Sequence, residues 1–247
     1  MCVVIVELDI GNTRIKWRHT ALHGDDESEE GVFDDVEEFF ANYAQQKKPD
    51  VFRFCSVRDQ AISNKLISWS SENWGFEPQV AEVSRECGGV TVNYADVSRL
   101  GVDRWLAMLA AYRKAGGACL VVDCGTAFTL DSLSAEGSHL GGFILPGLKL
   151  MQESLIANTG IRLDPGAHQD SIEMGNSTDE AVLNGSLASL VAIVEKHAEI
   201  LAQQSGQTRV FVSGGDAQLL AKFVESVNCE IVPGLVLDGL AIACPGH

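Results

Sequence analysis

Apolar and polar positions alternate in two regimes along this chain, and the change between them marks its elements. Val3–Leu8 is an apolar, β-branched run broken only by Glu7, and it ends in Asp9-Ile10-Gly11-Asn12-Thr13. Ile15 and Trp17 then alternate with Arg14, Lys16 and Arg18 up to Thr20. The same order returns much later. Cys119–Val122 runs into Asp123-Cys124-Gly125-Thr126-Ala127, after which Phe128 and Leu130 alternate with polar residues. Both segments read as buried strand, tight turn and second strand, which makes them a weak internal repeat.

The remaining segments extend the match. In the first half, helical spacing covers Asp34–Lys48 and Asp59–Trp74, the latter carrying Ile62, Leu66 and Trp69, and strand-like runs cover Val51–Val57 and Pro78–Val83. In the second half, strands are predicted at Leu140–Leu145, Arg209–Ser213 and Glu230–Val232. Helices are predicted at Leu148–Ala157, Ser177–Gln203, Asp216–Val227 and Leu235–Ala243. Each half is three strands followed by helix–strand alternation, an α/β pattern. Gly116-Gly117 breaks a helix just before the second copy begins, so the expected domains are 1–115 and 116–247. The acidic run Asp25–Glu30 reads as a solvated loop.

Composition narrows the function classes. Acidic residues number 34 against 18 Lys and Arg, a formal net charge of −16, which opposes binding to a nucleic-acid backbone or an anionic membrane. The seven cysteines are scattered with no CxxC pair and no neighbouring His cluster, so a zinc site or disulfide framework is not expected. The N-terminal apolar run stops at Glu7 and lacks a basic lead, so neither a signal peptide nor a membrane span is expected there. The expected location is the cytoplasm.

The two turns carry the candidate chemistry. A Gly-bearing turn between strands presents successive backbone N–H groups to phosphate oxygens. Gly11 and Gly125 allow close approach, and Thr13 and Thr126 add hydroxyl donors. Asp9, at the end of a strand, can hold Mg²⁺ through water, and Lys16 can reach back to the phosphates. Either turn alone is equally an ordinary β-hairpin; two copies at matching places favour the phosphate-binding reading. Neither GxxxxGK[ST] nor a GxGxxG after a strand occurs, which argues against a P-loop and a Rossmann site. Val212-Ser213-Gly214-Gly215-Asp216, between a strand and a helix, is a plain strand-to-helix turn or a backbone seat for adenosine.

Four segments occur in order: Asp9–Lys16, Gly101-Val102-Asp103-Arg104, Asp123–Ala127 and Gly141-Gly142-Phe143-Ile144-Leu145-Pro146-Gly147. Together they resemble type III pantothenate kinases over nearly the whole chain. The resemblance implies a duplicated ribonuclease-H-like architecture with mixed sheets flanked by helices, the actin-like ATPase fold of acetate and sugar kinases, Hsp70 and actin. It implies ATP-dependent phosphorylation of pantothenate to 4'-phosphopantothenate, the first step of coenzyme A biosynthesis. By the same resemblance Asp9, Ile10, Gly11, Asn12, Thr13, Arg14, Ile15, Lys16 and Thr126 bind ATP. Asp103 is the base toward the substrate hydroxyl. Tyr94, Gly101, Val102, Asp103, Arg104 and Thr178 line the pantothenate pocket. Asp123 takes a monovalent cation, K⁺ or NH₄⁺, beside the Mg²⁺ expected at Asp9, and the molecule is a homodimer.

Plainer readings stand beside these. Asp103-Arg104 at a helix start is also a capping carboxylate with a surface cation. Ser177 and Glu180 make a capping box. Phe143–Pro146 reads as a core strand and turn. The competing functions are another small-metabolite kinase of the superfamily and a non-catalytic regulator of the same fold.

Overall fold

The computed structural model describes residues 3–22, 27–44, 46–168 and 171–245. The chain folds into two compact units, the first made of 1–88, 94–110 and 235–247 and the second of 89–93 and 111–234.

In the first unit β1 (Val3–Ile10), β2 (Ile15–Leu22) and β3 (Glu27–Phe33) form an antiparallel meander. Helix α1 (Val36–Tyr43) then leads to β4 (Val51–Ser56), which pairs with β1 in parallel. Helix α2 (Gln60–Trp74) leads to β5 (Gln79–Val80), parallel to β4, so the sheet order is β3-β2-β1-β4-β5. Val6 to Ile10 are all buried. A central strand covered on both faces shows an unbroken apolar run instead of alternation, which is the pattern the sequence carries. The core here is aromatic. Phe39 sits among Phe33, Phe52, Trp69 and Trp74 with ring centroids 5.6 to 6.2 Å away.

Two short strands, β6 (Glu86–Cys87) and β7 (Val90–Thr91), flank Gly88 and Gly89. Helix α3 (Val102–Ala115) follows. The second unit then repeats the first: β8 (Cys119–Cys124), β9 (Ala127–Leu133) and β10 (His139–Pro146) form an antiparallel meander. Helices α4 (Leu148–Asn158) and α5 (Thr178–Ser205) precede β11 (Arg209–Ser213), which is parallel to β8. Helix α6 (Ala217–Phe223) leads to β12 (Cys229–Ile231), parallel to β11. The order β10-β9-β8-β11-β12 and all pairing senses match the first sheet. The molecule therefore contains two mixed sheets of one topology, each flanked by helices, as the duplicated pattern predicts. The second core is aliphatic, with Leu187, Leu190, Val191 and Val194 of α5 against Leu120 and Val122 of β8.

Several expectations are corrected. Helix α7 (Leu235–Ala243) falls in the second half by sequence, yet it belongs to the first compact unit. It packs on β1 and β4, and Gly239 comes so close to the backbone of Leu106 that any side chain there would overlap it. A buried ionic network holds it: Glu7 accepts from Arg18 and Arg53, Arg18 also pairs with Asp238, and Arg53 Nη1 donates to the Cys244 carbonyl at 2.8 Å.

Of the acidic run, Glu27–Glu30 is strand β3 and not loop; Asp25 and Asp26 lie outside the described residues. Ser28, Glu29 and Glu30 stay exposed on this outer strand, where charge discourages pairing with another chain. Helices α1 and α6 end earlier than their spacing suggested, and β5 is two residues long. Phe143 and Ile144 are 42% and 64% exposed, so that stretch of β10 is not core.

Candidate active site

In the first unit the Asp9–Lys16 segment is the β1–β2 turn. Asp9 is buried at the end of β1, in register with Lys16 on β2. Gly11 N–H donates to the Arg14 carbonyl at 3.1 Å and closes the turn, leaving Asn12, Thr13 and Arg14 exposed. Ile10 and Ile15 are buried beneath it and anchor the turn to the core. On the other side β4 pairs Asp9 with Cys55, and the Cys55 thiol donates to Asp9 Oδ1 at 3.6 Å.

The Gly101–Arg104 segment starts α3. Trp105 N–H donates to the Gly101 carbonyl at 3.0 Å. Asp103 Oδ1 accepts from the Arg104 N–H at 2.8 Å, so its carboxylate folds back over the helix start. A Cβ on Gly101 would lie 2.5 Å from that oxygen, which is why this position has no side chain. The capping reading thus holds for Asp103. Arg104 is buried, and its Nη1 donates to the Tyr94 hydroxyl at 3.3 Å. Arg85 Nη2 holds the Tyr94 carbonyl at 3.2 Å. The surface-cation reading of Arg104 is therefore overturned.

The two segments meet at Cys55. Burial first, then the charges of Asp9 and Asp103, push its thiol well above the usual cysteine range. The structure thus brings Asp9, Lys16, Asp103, Arg104 and Tyr94 into one unit, with Asp9 hydrogen-bonded to a buried thiol on which the charge of Asp103 also acts. Arg58, two residues past the end of β4, is a residue that the sequence does not single out. Its Nε donates to the Gly11 carbonyl at 2.5 Å. Nothing local could have revealed Arg58 or Cys55, because their neighbours come from strands far apart in sequence.

In the second unit the matching turn follows β8. Asp123 Oδ2 accepts from Ser213 Oγ at 2.7 Å, and Gly125 N–H donates to the Ala127 carbonyl at 3.1 Å. A Cβ on Gly125 would sit 2.9 Å from Asp123 Oδ1. Gly214, at φ +94°, lies against the backbone of Cys124, and Asp216 N–H donates to the Cys124 carbonyl at 3.1 Å. Gly147 packs on the Gly125 and Thr126 carbonyls and donates its N–H to the latter at 3.0 Å. Three glycine-bearing turns therefore pack along the Asp123–Thr126 segment. Burial raises the pKa of Asp216. Thr178 is exposed at the start of α5. Ser177 Oγ caps that helix by accepting from Glu180 N–H, while Glu180 reaches back to Asn176 N–H in place of Ser177, a capping box displaced by one residue. No group of three or more His, Cys, Asp or Glu able to hold a metal occurs among the described residues.

A family model for type III pantothenate kinase matches residues 5–199. The chain belongs to the type III pantothenate kinase family. A type III pantothenate kinase from Ectopseudomonas mendocina (strain ymp) is 42% identical over 98% of this chain and 99% of its own length. The type III pantothenate kinases of Pseudomonas fluorescens (strain SBW25) and Azotobacter vinelandii are 40% and 38% identical, each over 98% of this chain and 99% of their own length.

Among solved structures, a conserved Campylobacter jejuni protein assigned to the Baf family of transcriptional activators superposes with TM-score 0.61 at 19% identity, covering 95% of this chain and 94% of its own. A component of the PilM–PilN type IV pilus biogenesis complex gives 0.50 at 12% identity, covering 92% and 88%. At these identities the likeness shows the fold alone. Of the four segments that carried the resemblance to type III pantothenate kinases, all lie inside the span matched by the family model.

Proposed function

We propose that this chain carries out the reaction its family is named for, transfer of the γ-phosphoryl group of ATP to pantothenate giving 4'-phosphopantothenate, at the start of coenzyme A biosynthesis. The observation that carries the reading is that Asp9, hydrogen-bonded to the buried Cys55 thiol, and Asp103, whose charge also acts on that thiol, belong to one unit. On this reading Asp9 serves the phosphate-binding turn and Asp103 the alcohol-binding pocket.

Phosphoryl transfer requires positioning and charge neutralisation more than covalent chemistry. Asp9 through Lys16, with Thr126 of the second turn, bind ATP: turn amides and the Lys16 ammonium face phosphate oxygens. Asp103 orients the primary hydroxyl of pantothenate and accepts its proton as the P–O bond forms, since an alcohol is too weak an acid to lose its proton to a carboxylate beforehand. Arg104 pairs with the substrate carboxylate, for which a guanidinium is the matching shape. Gly101, Val102, Tyr94 and Thr178 complete the pocket, Tyr94 through its bond to Arg104.

Mg²⁺ fits Asp9, a single carboxylate with phosphates and water to complete the shell, and a monovalent cation fits Asp123, where Gly125 leaves open the space a Cβ would fill. Both ions would supply positive charge to the transferring phosphates. A homodimer is supported by exposed apolar residues on β10 and α4, Leu140, Ile144, Leu150, Leu155 and Ile156. A reducing cytoplasm is supported by the free thiols of Cys55, Cys119 and Cys124. None of the described helices is long and apolar enough to cross a membrane.

The test is ADP release with pantothenate and MgATP, run with and without K⁺. Pantothenate-dependent ADP formation that K⁺ stimulates is expected; ADP formation indifferent to pantothenate would end the proposal.

A further inference from the structure

We propose that Arg58 is a phosphate-binding residue of this site, holding terminal phosphate oxygens of ATP beside the Gly11–Arg14 turn. The proposal rests on the reading of Asp9–Lys16 as the phosphate turn.

The placement comes from the sheet. Strand β4 runs parallel to β1, pairing Ser56 with Ile10, and Val57 N–H extends the ladder to the Ile10 carbonyl at 3.1 Å. The chain then leaves the sheet. Arg58 N–H donates to Ser56 Oγ at 3.2 Å, and Asp59 caps α2. Arg58 thus lies two residues past the end of β4, where the chain leaves the sheet next to the turn that follows β1. Its Nε donates to the carbonyl of Gly11, the residue that opens that turn.

A single N–H would be enough to latch the turn. The guanidinium brings five donors, and neither terminal amino group of Arg58 has a hydrogen-bond or ion-pair partner among the described residues. Arg58 is half-buried. A half-exposed guanidinium with no carboxylate partner keeps its charge and its donors available to an anion. Acids outnumber bases 34 to 18 in this chain, so an arginine left without an acid at this position is not explained by a shortage of partners. With Nε fixed on Gly11, the two remaining amino groups form a planar fork that matches a phosphate in bidentate fashion.

Three variants separate charge from latch: Arg58→Ala, Arg58→Lys and Arg58→Gln. Glutamine keeps an N–H donor for the Gly11 carbonyl but no charge, and lysine keeps the charge. The KM for ATP and for pantothenate, kcat, and the thermal midpoint are measured for each. Loss of a charge-assisted bond predicts a KM for ATP raised about ten-fold in Ala and Gln, an unchanged KM for pantothenate, and substantial recovery in Lys. Wild-type behaviour of Gln, or equal rises in both KM values together with a lowered thermal midpoint, would overturn the proposal by making Arg58 a latch. Lys16→Ala is the control for the turn itself. If Lys16→Ala leaves the KM for ATP unchanged, the phosphate-turn reading fails. If it raises that KM while the Arg58 variants do not, only the Arg58 proposal fails.

Discussion

Asp103 is held by its own helix start, with one oxygen on the Arg104 amide and Gly101 leaving it room. That geometry leaves a carboxylate poised by the backbone, so replacing it with an isosteric amide should keep the fold and remove the proton acceptor. Asp103→Asn is expected to lower kcat by about 10²- to 10⁴-fold while leaving ATP affinity close to wild type, as measured by steady-state kinetics and nucleotide binding; a variant that keeps most of its kcat would remove the base assignment. Asp9 lies buried between Lys16 and Cys55, and Asp9→Ala is expected to abolish Mg²⁺-dependent turnover, read as ADP release over a Mg²⁺ titration. At this scale the aspartates were legible because each sits in a short local motif. Arg104 as a buried group, Cys55 as the common neighbour and Arg58 on the turn were not, because each depends on partners brought up by distant segments.

At the scale of elements, turns were read well and edges poorly. The β11–α6 connection holds Gly214 at φ +94° against the backbone of Cys124, a position where a side chain has neither the conformation nor the space. Gly214→Ala should destabilise the protein by about 2 to 3 kcal/mol, measured by urea unfolding. Ser177→Ala removes the cap of α5 and should cost about 1 kcal/mol by the same measurement. Strands β1, β8 and β11 were visible as unbroken apolar runs because both their faces are covered. Strand β3 was hidden, since its acidic, exposed residues give no apolar period and only pairing with β2 makes it a strand. Strand β10 misled in the other direction: Phe143 and Ile144 are apolar but exposed, and Phe143 stacks edge-on with His197 at 4.9 Å.

For the whole molecule, the repeated sheet order is the dominant fact, and the last helix is the exception to a simple bisection. Helix α7 returns to the first unit, held through Glu7, Arg18, Arg53 and Asp238. Glu7 is only 2% exposed. Arg53→Ala takes away one of its two cations and the donor to the Cys244 carbonyl, and is expected to cost about 3 kcal/mol. Limited proteolysis should then show earlier cleavage in the C-terminal segment than in the wild-type chain; unchanged cleavage and unfolding would show that the network does not hold the helix.

The local order of residues determined the strand–turn–strand repeats, the helix–strand alternation after each, and the family, since these depend on neighbours within a turn or a strand. Tertiary structure alone decided which strands stand side by side, and with that which groups meet: Cys55 against Asp9, Arg58 against Gly11, α7 against β1. Parallel pairing joins segments tens of residues apart, and hydrophobic burial, which drives it, is not directional. An apolar run therefore announces that it will be buried, while the partner it is buried against emerges only when the whole chain packs.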